Sequence, residues 1–286
     1  MQTAFRGLES AGNPWSFPAE DRAKWAEGLD VPLMAEKPDA EILLWVGCAP
    51  SFDDSAKRIS RATAKLLKAA GVDFAILGPE EQCTGDPARR AGNEFLFQTF
   101  AQANVETMKG YNVRKIVTAC PHCYNTLKNE YGDFGGHYEV VHHSQYLSKL
   151  VSEGKLKPTK RVEAKVAFHD SCYLGRYNDV YDAPRETLRS IPGLTVLEPE
   201  ATRDRGMCCG AGGAQMFKEE EHGRERVNLA RTDQLLAAGA DTVSSACPFC
   251  MRMLTDGLAG RGREQVKQRD IAELLAESVP ECATAL

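Results

Sequence analysis

The sequence lacks a long apolar run, a basic surplus and a secretory signal, and each absence excludes something. No stretch of about 18 apolar residues occurs, so no helix is expected to span a membrane. Lys and Arg number 35 against 40 Asp and Glu, a net charge of −5, which argues against nucleic acid as the main partner. The first residues show no charged, apolar and small-residue succession, so export is not expected. A chain of 286 residues with 43% apolar content can bury its own core without disulfide staples. That length suits two domains of about 140 residues each.

Cysteine, by contrast, is abundant. Ten are present, at positions 48, 83, 120, 123, 172, 208, 209, 247, 250 and 282. Without an export signal, metal binding or redox chemistry is a better reading of them than a disulfide framework. The most informative stretch is Met207-Cys208-Cys209-Gly210-Ala211-Gly212-Gly213. Neighbouring side chains on an extended backbone point to opposite sides. Two adjacent thiolates can face one site only where the chain bends sharply, and glycine permits that bend. Gly210, Gly212 and Gly213 are therefore candidate cofactor-binding positions, where backbone N–H groups can approach sulfur. Their spacing does not fit a dinucleotide fingerprint.

Along the chain, residues 1–40 read as an arm with four prolines, a short helix over Asp21–Gly28, and Trp15 and Trp25 as core plugs. The apolar run Glu41–Gly47 predicts a strand, and Ser55–Ala70 a helix. Asp73–Leu77 is a second strand, followed by one long helix over about Ala88–Met108 and a third strand at Val113–Ala119. Cys120-Pro121-His122-Cys123 should open a helix, because Pro in the first turn forfeits no needed N–H. Tyr138–His142 and Gln145–Val151 complete this half as strand and helix, and Gly154–Lys160 is a linker. The second half repeats the order, with strands at Lys165–His169, Leu194–Glu198 and Asp241–Ala246. Its helices are expected near Ala183–Ser190, over about Gln215–Ala237, from Cys247, and finally over Arg269–Ser278, before a fraying tail.

The two halves match residue by residue. Cys48 and Cys172, Cys83 and Cys208, and Cys120 and Cys247 recur 124, 125 and 127 residues apart. A near-constant offset marks a duplicated unit. The expected fold is α/β, with two duplicated Rossmann-like lobes, parallel sheets, and metal sites at the carboxyl ends of the strands. The domain boundaries are an arm at 1–40, a first lobe at 41–157 and a second at 158–286. Cys48, Cys83, Cys120 and Cys123 form a first candidate metal set. Cys172, Cys208, Cys209, Cys247 and Cys250 form a second. Four thiolates suit a [4Fe–4S] cube or tetrahedral zinc, whereas five exceed either need, so the second site should be less regular.

Other residues carry more than one reading. His169 and Asp170 are candidates to tune the second site by hydrogen bonding, or to carry a proton. A strand-end histidine satisfied by backbone is the plainer reading. His122 should point away from the metal into packing or surface, and His142-His143 should cap a helix or sit at an interface. Asp86, Arg89 and Arg90 either orient the Cys83 loop, dock a redox partner, or form a solvated helix start.

The pattern of Cys172, Cys208-Cys209-Gly210 and Cys247-Pro248-Phe249-Cys250 resembles the cysteine-rich CCG-domain family. That family includes the cysteine-rich subunit of heterodisulfide reductase and the iron–sulfur subunits of anaerobic glycerol-3-phosphate, glycolate and lactate oxidoreductases. Glu81-Gln82-Cys83-Thr84-Gly85-Asp86-Pro87-Ala88-Arg89-Arg90 and His169-Asp170-Ser171-Cys172-Tyr173-Leu174-Gly175-Arg176 are similar to its branch linked to electron-transfer flavoprotein and quinone. The resemblance covers about residues 41–260, and the arm is similar to the same branch. It implies a noncubane [4Fe–4S] cluster on the five cysteines of the second set. In the first set Thr84 stands where the second of the paired cysteines would be. A regular [4Fe–4S] cluster, zinc, or a merely structural site is the implied order of choice there.

The function so implied is an iron–sulfur electron-transfer module of an oxidoreductase. Its donor would be a flavoprotein or dehydrogenase, and its acceptor a quinone-reducing partner with ferredoxin-like and haem membrane domains. The chain is then a separate subunit or a fragment, cytoplasmic or held peripherally at the inner face of a membrane. The alternatives are a heterodisulfide-reductase-like thiol/disulfide enzyme and a zinc-stabilised interaction protein without redox chemistry.

Overall fold

The computed structural model describes residues 1–219 and 223–282. Strands and helices alternate through two four-stranded sheets, every pairing in them parallel. The first sheet holds β1 (Ile42–Trp45), β2 (Phe74–Ala75), β3 (Lys115–Thr118) and β4 (Glu139–His142), in the order β2-β1-β3-β4. The second holds β5 (Ala164–His169), β6 (Leu194–Leu197), β7 (Thr242–Ser245) and β8 (Lys267–Asp270), in the order β6-β5-β7-β8. The topologies are the same, as a duplication requires. In each sheet the chain leaves its first strand for one edge and returns to the other side. The carboxyl ends of β1 and β3, and of β5 and β7, therefore flank a topological switch point, where open parallel sheets place ligand sites.

Helix α1 (Gln2–Ala11) lies in the arm, and the helices of the first lobe are α2 (Cys48–Phe52), α3 (Asp54–Ala69), α4 (Asp86–Arg90), α5 (Glu94–Gly110), α6 (Pro121–Asn129) and α7 (His143–Ser152). Those of the second are α8 (Asp182–Arg189), α9 (Val227–Leu236), α10 (Pro248–Gly260) and α11 (Ile271–Ser278). Several starts have a local cause. Asp53 accepts the Ser55 and Ala56 N–H groups at α3, and Asp270 forms a capping box with Glu273 at α11.

The lobes pack as a pseudo-two-fold pair. Helix α3 lies against α11, and its counterpart α8 lies against α7. One continuous apolar core runs through both lobes, from Leu43 and Phe74 to Phe168 and Leu274. His143 crosses the interface to Asp270 at 2.9 Å, and His142 caps α7, so the pair joins the expected capping and interface roles.

Four expectations need correction. The long helix over Ala88–Met108 is broken between α4 and α5, because Gly92 sits at φ +86° and Asn93 caps a new helix through the Leu96 N–H. The long helix over Gln215–Ala237 is a 3₁₀ turn at Gln215–Phe217 and then α9; residues 220–222 lie outside the described residues. The last element is not a helix from Arg269 but strand β8 followed by α11. In the arm, Ala19–Ala26 is 3₁₀ rather than α, and α1 precedes it. The arm packs on the body. Trp25 and Met34 enter the core, and Leu33 bridges to Ile76 beside β2. The expected tail beyond residue 282 lies outside the described residues.

Candidate metal centres

None of the ten cysteines is paired in a disulfide. Nine of them gather at the two switch points. Cys48 follows β1 and Cys120 follows β3; Cys172 follows β5 and Cys247 follows β7. Pro121 and Pro248 open α6 and α10 one residue later. At α10 the Cys250 N–H donates to the Cys247 sulfur at 3.5 Å, so the cysteine itself caps the helix.

In the first site Cys48, Cys83, Cys120 and Cys123 line one cavity together with Thr84, Asp86, His122 and Phe249. Cys83 lies within hydrogen-bond reach of Cys48, and Cys120 of Cys123. A hydrogen bond from Cys83, with the Arg22 guanidinium beside it, lowers the Cys48 thiol to about 6 against the opposing effect of burial. Arg22 comes from the arm. Its Nη2 donates to Cys48 Sγ at 3.3 Å and to the Gly12 carbonyl at 3.0 Å, and its Nη1 meets Glu81 at 3.1 Å. Glu81 also accepts the Val46 and Gly47 N–H groups at 2.9 and 2.7 Å. No local signal in the sequence links Arg22 to a cysteine 26 residues later.

In the second site the sulfurs form an unbroken series. Cys172 contacts Cys208, Cys208 contacts Cys209, Cys209 contacts Cys250, and Cys250 contacts Cys247. Hydrogen bonds from Cys172 and Cys209, and then from the Gly210 and Gly212 N–H groups, pull the Cys208 thiol far below its ordinary range. The Gly210 N–H lies 3.3 Å from Cys208 Sγ. Gly210 adopts φ +95°, and a Cβ there would press on Met253 and Val227 at 3.3 Å. Its counterpart Gly85, at φ +83°, would bring a Cβ to 2.9 Å from Phe97. The bend after each paired position thus needs glycine. Gly213 also lies at φ +65° but has open space around it.

The donor set fits a thiophilic metal or cluster. All nine sulfurs are free, sulfurs adjoin one another within each site, and backbone N–H groups face those of Cys208 and Cys247. A Cβ on Gly47 would lie 3.2 Å from Cys123 Sγ, so glycine there leaves room for the sulfur.

Among the other candidates, His169 is buried and joins Cys209 and Cys250, their ligand atoms all within 4.8 Å of one another. Burial, then the adjacent Arg231, lowers its basicity to about 3. Asp170 turns the other way. Arg185 grips both its oxygens at 2.7 and 2.9 Å, and the Arg203 N–H adds a third bond at 2.7 Å. His122 is wedged between Tyr173 and Phe249, with ring centroids at 4.4 and 5.1 Å, and bonds Asp86 at 3.0 Å. His122 and Phe249 hold the same position in the two Cys-Pro-x-Cys segments, so the duplicated positions meet across the lobe interface. Trp15 and Phe217 extend this aromatic cluster around Phe249. Arg90 is paired with Asp86 and Glu130, and Arg89 with Glu130 and Glu94.

The chain matches the family model for the cysteine-rich (CCG) domain twice, over residues 42–128 and 166–255, one match in each lobe. It is 48% identical over 286 residues to a probable iron–sulfur-binding oxidoreductase, FadF, of Bacillus subtilis, covering 97% of this chain and 40% of the relative. It is 46% identical to the EtfAB:quinone oxidoreductase of Syntrophomonas wolfei, covering 96% and 40%. It is 33% identical to one of the subunits of the dihydromethanophenazine:CoB–CoM heterodisulfide reductase of Methanosarcina mazei, covering 93% and 65%. The chain thus spans about two fifths of the length of the first two relatives. No helix among the described residues is long and apolar enough to cross a membrane.

Proposed function

Because the chain belongs to the cysteine-rich CCG-domain family, we propose that it is the iron–sulfur electron-transfer module of an oxidoreductase. It takes electrons from a flavoprotein, such as electron-transfer flavoprotein, or from a dehydrogenase. It delivers them toward a quinone-reducing membrane partner with ferredoxin-like and haem domains. Residues 41–157 and 158–286 are its two lobes, with 1–40 as an arm. The observation that carries the reading is the unbroken series of five sulfurs from Cys172 through Cys208, Cys209 and Cys250 to Cys247.

Those five cysteines would hold a noncubane [4Fe–4S] cluster. Cys48, Cys83, Cys120 and Cys123 would hold a regular [4Fe–4S] cluster, with zinc as the alternative. An iron–sulfur cluster supplies one-electron oxidation and reduction when bound. The chain's own residues set its surroundings. Gly210 and Gly212 offer N–H groups at Cys208, Arg22 donates to Cys48, and Phe249 packs against Trp15 and His122 beside the first site.

Protein prepared under strict anaerobiosis is expected to be brown, to carry about eight iron atoms, and to show two distinct EPR-active centres. Colourless protein that takes up stoichiometric zinc and no iron under those conditions overturns the reading.

One observation favours a second reading, a thiol- or disulfide-reducing site. Cys172 and Cys208 are only partly buried, whereas Cys209, Cys247 and Cys250 are buried, so the second site opens to solvent on one side. A disulfide added anaerobically should then perturb the EPR spectrum of that site, and an unchanged spectrum across several disulfides leaves pure electron transfer.

A further inference from the structure

One buried pair at the second site has a polarity that decides what it can do there. His169 ends β5, and its Nδ1 accepts a hydrogen bond from Arg231 Nε at 3.1 Å. Arg231 lies on α9, and its Nη1 is held by the Ala201 carbonyl at 2.8 Å and by Gln234 at 2.9 Å. An arginine in a protein keeps its protons and offers no acceptor. The Nδ1 lone pair is therefore occupied, and the neutral ring carries its single proton on Nε2. Yet Nε2 is fully buried and has no hydrogen-bond partner within the protein. The ring is grouped with Cys209 Sγ and Cys250 Sγ inside a 4.8 Å span.

Proximity of a histidine to two cysteines would ordinarily read as a third ligand. Here the tautomer speaks against it, because a ligating nitrogen must be unprotonated and Arg231 has fixed the proton on that nitrogen. We propose that His169 is not a ligand of the second site but a positioning residue, an N–H donor whose unpartnered Nε2–H is kept for the metal–sulfur group that Cys209 and Cys250 would hold, because Arg231 occupies Nδ1. The proposal rests on the reading that this site binds a metal–sulfur group, and it adds a polarity that the cysteine pattern does not contain. A donor bond to sulfur stabilises the more negative, reduced state and so raises the reduction potential. The neutral ring supplies that bond without bringing a full charge into the buried site.

The test uses the full chain, purified anaerobically, with His169→Leu, His169→Gln and Arg231→Leu. If His169 is a donor, His169→Leu keeps the wild-type iron content and shifts the second-site EPR midpoint to lower potential. His169→Gln, which restores an N–H, recovers part of that shift. Pulsed EPR on ¹⁵N-histidine protein should show only weak coupling at the second site. Loss of iron from His169→Leu with an intact circular dichroism spectrum, or strong ¹⁵N coupling in the wild type, makes His169 a ligand and overturns the proposal. An unchanged midpoint in His169→Leu overturns it as well.

A metal-independent arm separates this proposal from the reading beneath it. Histidine ¹⁵N NMR of the wild-type chain, with zinc or without added metal, should find His169 as the Nε2–H tautomer, and Arg231→Leu should yield a mixture of tautomers. If the chain binds no iron at all, the iron–sulfur reading fails while the tautomer is still decided. A proton on Nδ1 in the wild type overturns the donor role under any metal.

Discussion

Thr84 and Cys209 occupy equivalent places in the two lobes, each followed by a glycine of positive φ. The two turns share a backbone but differ by one thiol. Cys209→Thr is therefore expected to remove the five-cysteine signature from the EPR spectrum while circular dichroism stays unchanged. An unaltered spectrum would mean that Cys209 is not a ligand. Arg22 is the residue whose role sequence reading missed most completely. It and Glu81 are each 2% exposed, so neither has water to fall back on. Arg22→Met leaves the Glu81 carboxyl with backbone N–H groups alone. Burial already raises that carboxyl to about 7, against the effect of Arg22, so without Arg22 it takes up a proton, and urea unfolding of the full chain should read a loss of stability that grows as pH rises above 7. Neither side chain announces the contact in sequence, because an arginine in a proline-rich arm carries no period or spacing that points to a distant sulfur.

Strand and helix assignments were legible wherever an apolar period was present. They failed where it was absent. The run Lys267-Gln268-Arg269-Asp270 has no aliphatic residue, yet it forms strand β8. It is the edge strand beside β7; Lys267 faces solvent, while Gln268 and Asp270 are buried, Asp270 through its bond to His143 in the lobe interface. Its pairing supplies backbone hydrogen bonds that no side-chain pattern advertises. The break between α4 and α5 has a sharper signature in hindsight, since Gly92-Asn93 is a stop followed by a cap. Gly92 stands at φ +86° with open space around it, so an added Cβ meets only backbone strain. Gly92→Ala should lower stability by about 1 kcal/mol, read as a reduced thermal midpoint, without altering metal content.

At the scale of the molecule, the lobes share a core and a pseudo-two-fold interface, and buried ion pairs pin the segments that carry the second site. Arg185 is wholly buried and bonds Asp170, Glu198 and Thr202. Against the effect of burial, it holds the Asp170 carboxyl below the usual carboxylate range, and its hydrogen bond does the same for Glu198. Carboxyls lowered in the folded state contribute stability that is complete above their unfolded values of about 4 and is lost as pH falls through the folded values. Denaturant unfolding at a series of pH values should thus show a loss of stability beginning below about pH 4. Arg185→Met is expected to weaken that acid dependence and to cost several kcal/mol at neutral pH, by leaving Asp170 buried without its partner.

The amino-acid sequence by itself determined the duplication, the parallel α/β alternation and the nine cysteines at strand ends and turns. These are properties of spacing and local period, and the chain carries them wherever it is read. Only the tertiary structure decided what surrounds the sulfurs. It brought Arg22 from the arm to Cys48, set His122 against Phe249 across the lobes, and placed the ring of His169 beside Cys209 and Cys250. Such contacts join residues far apart in the chain. They arise from the packing of two sheets about a shared core, and packing leaves no mark on the local order of residues.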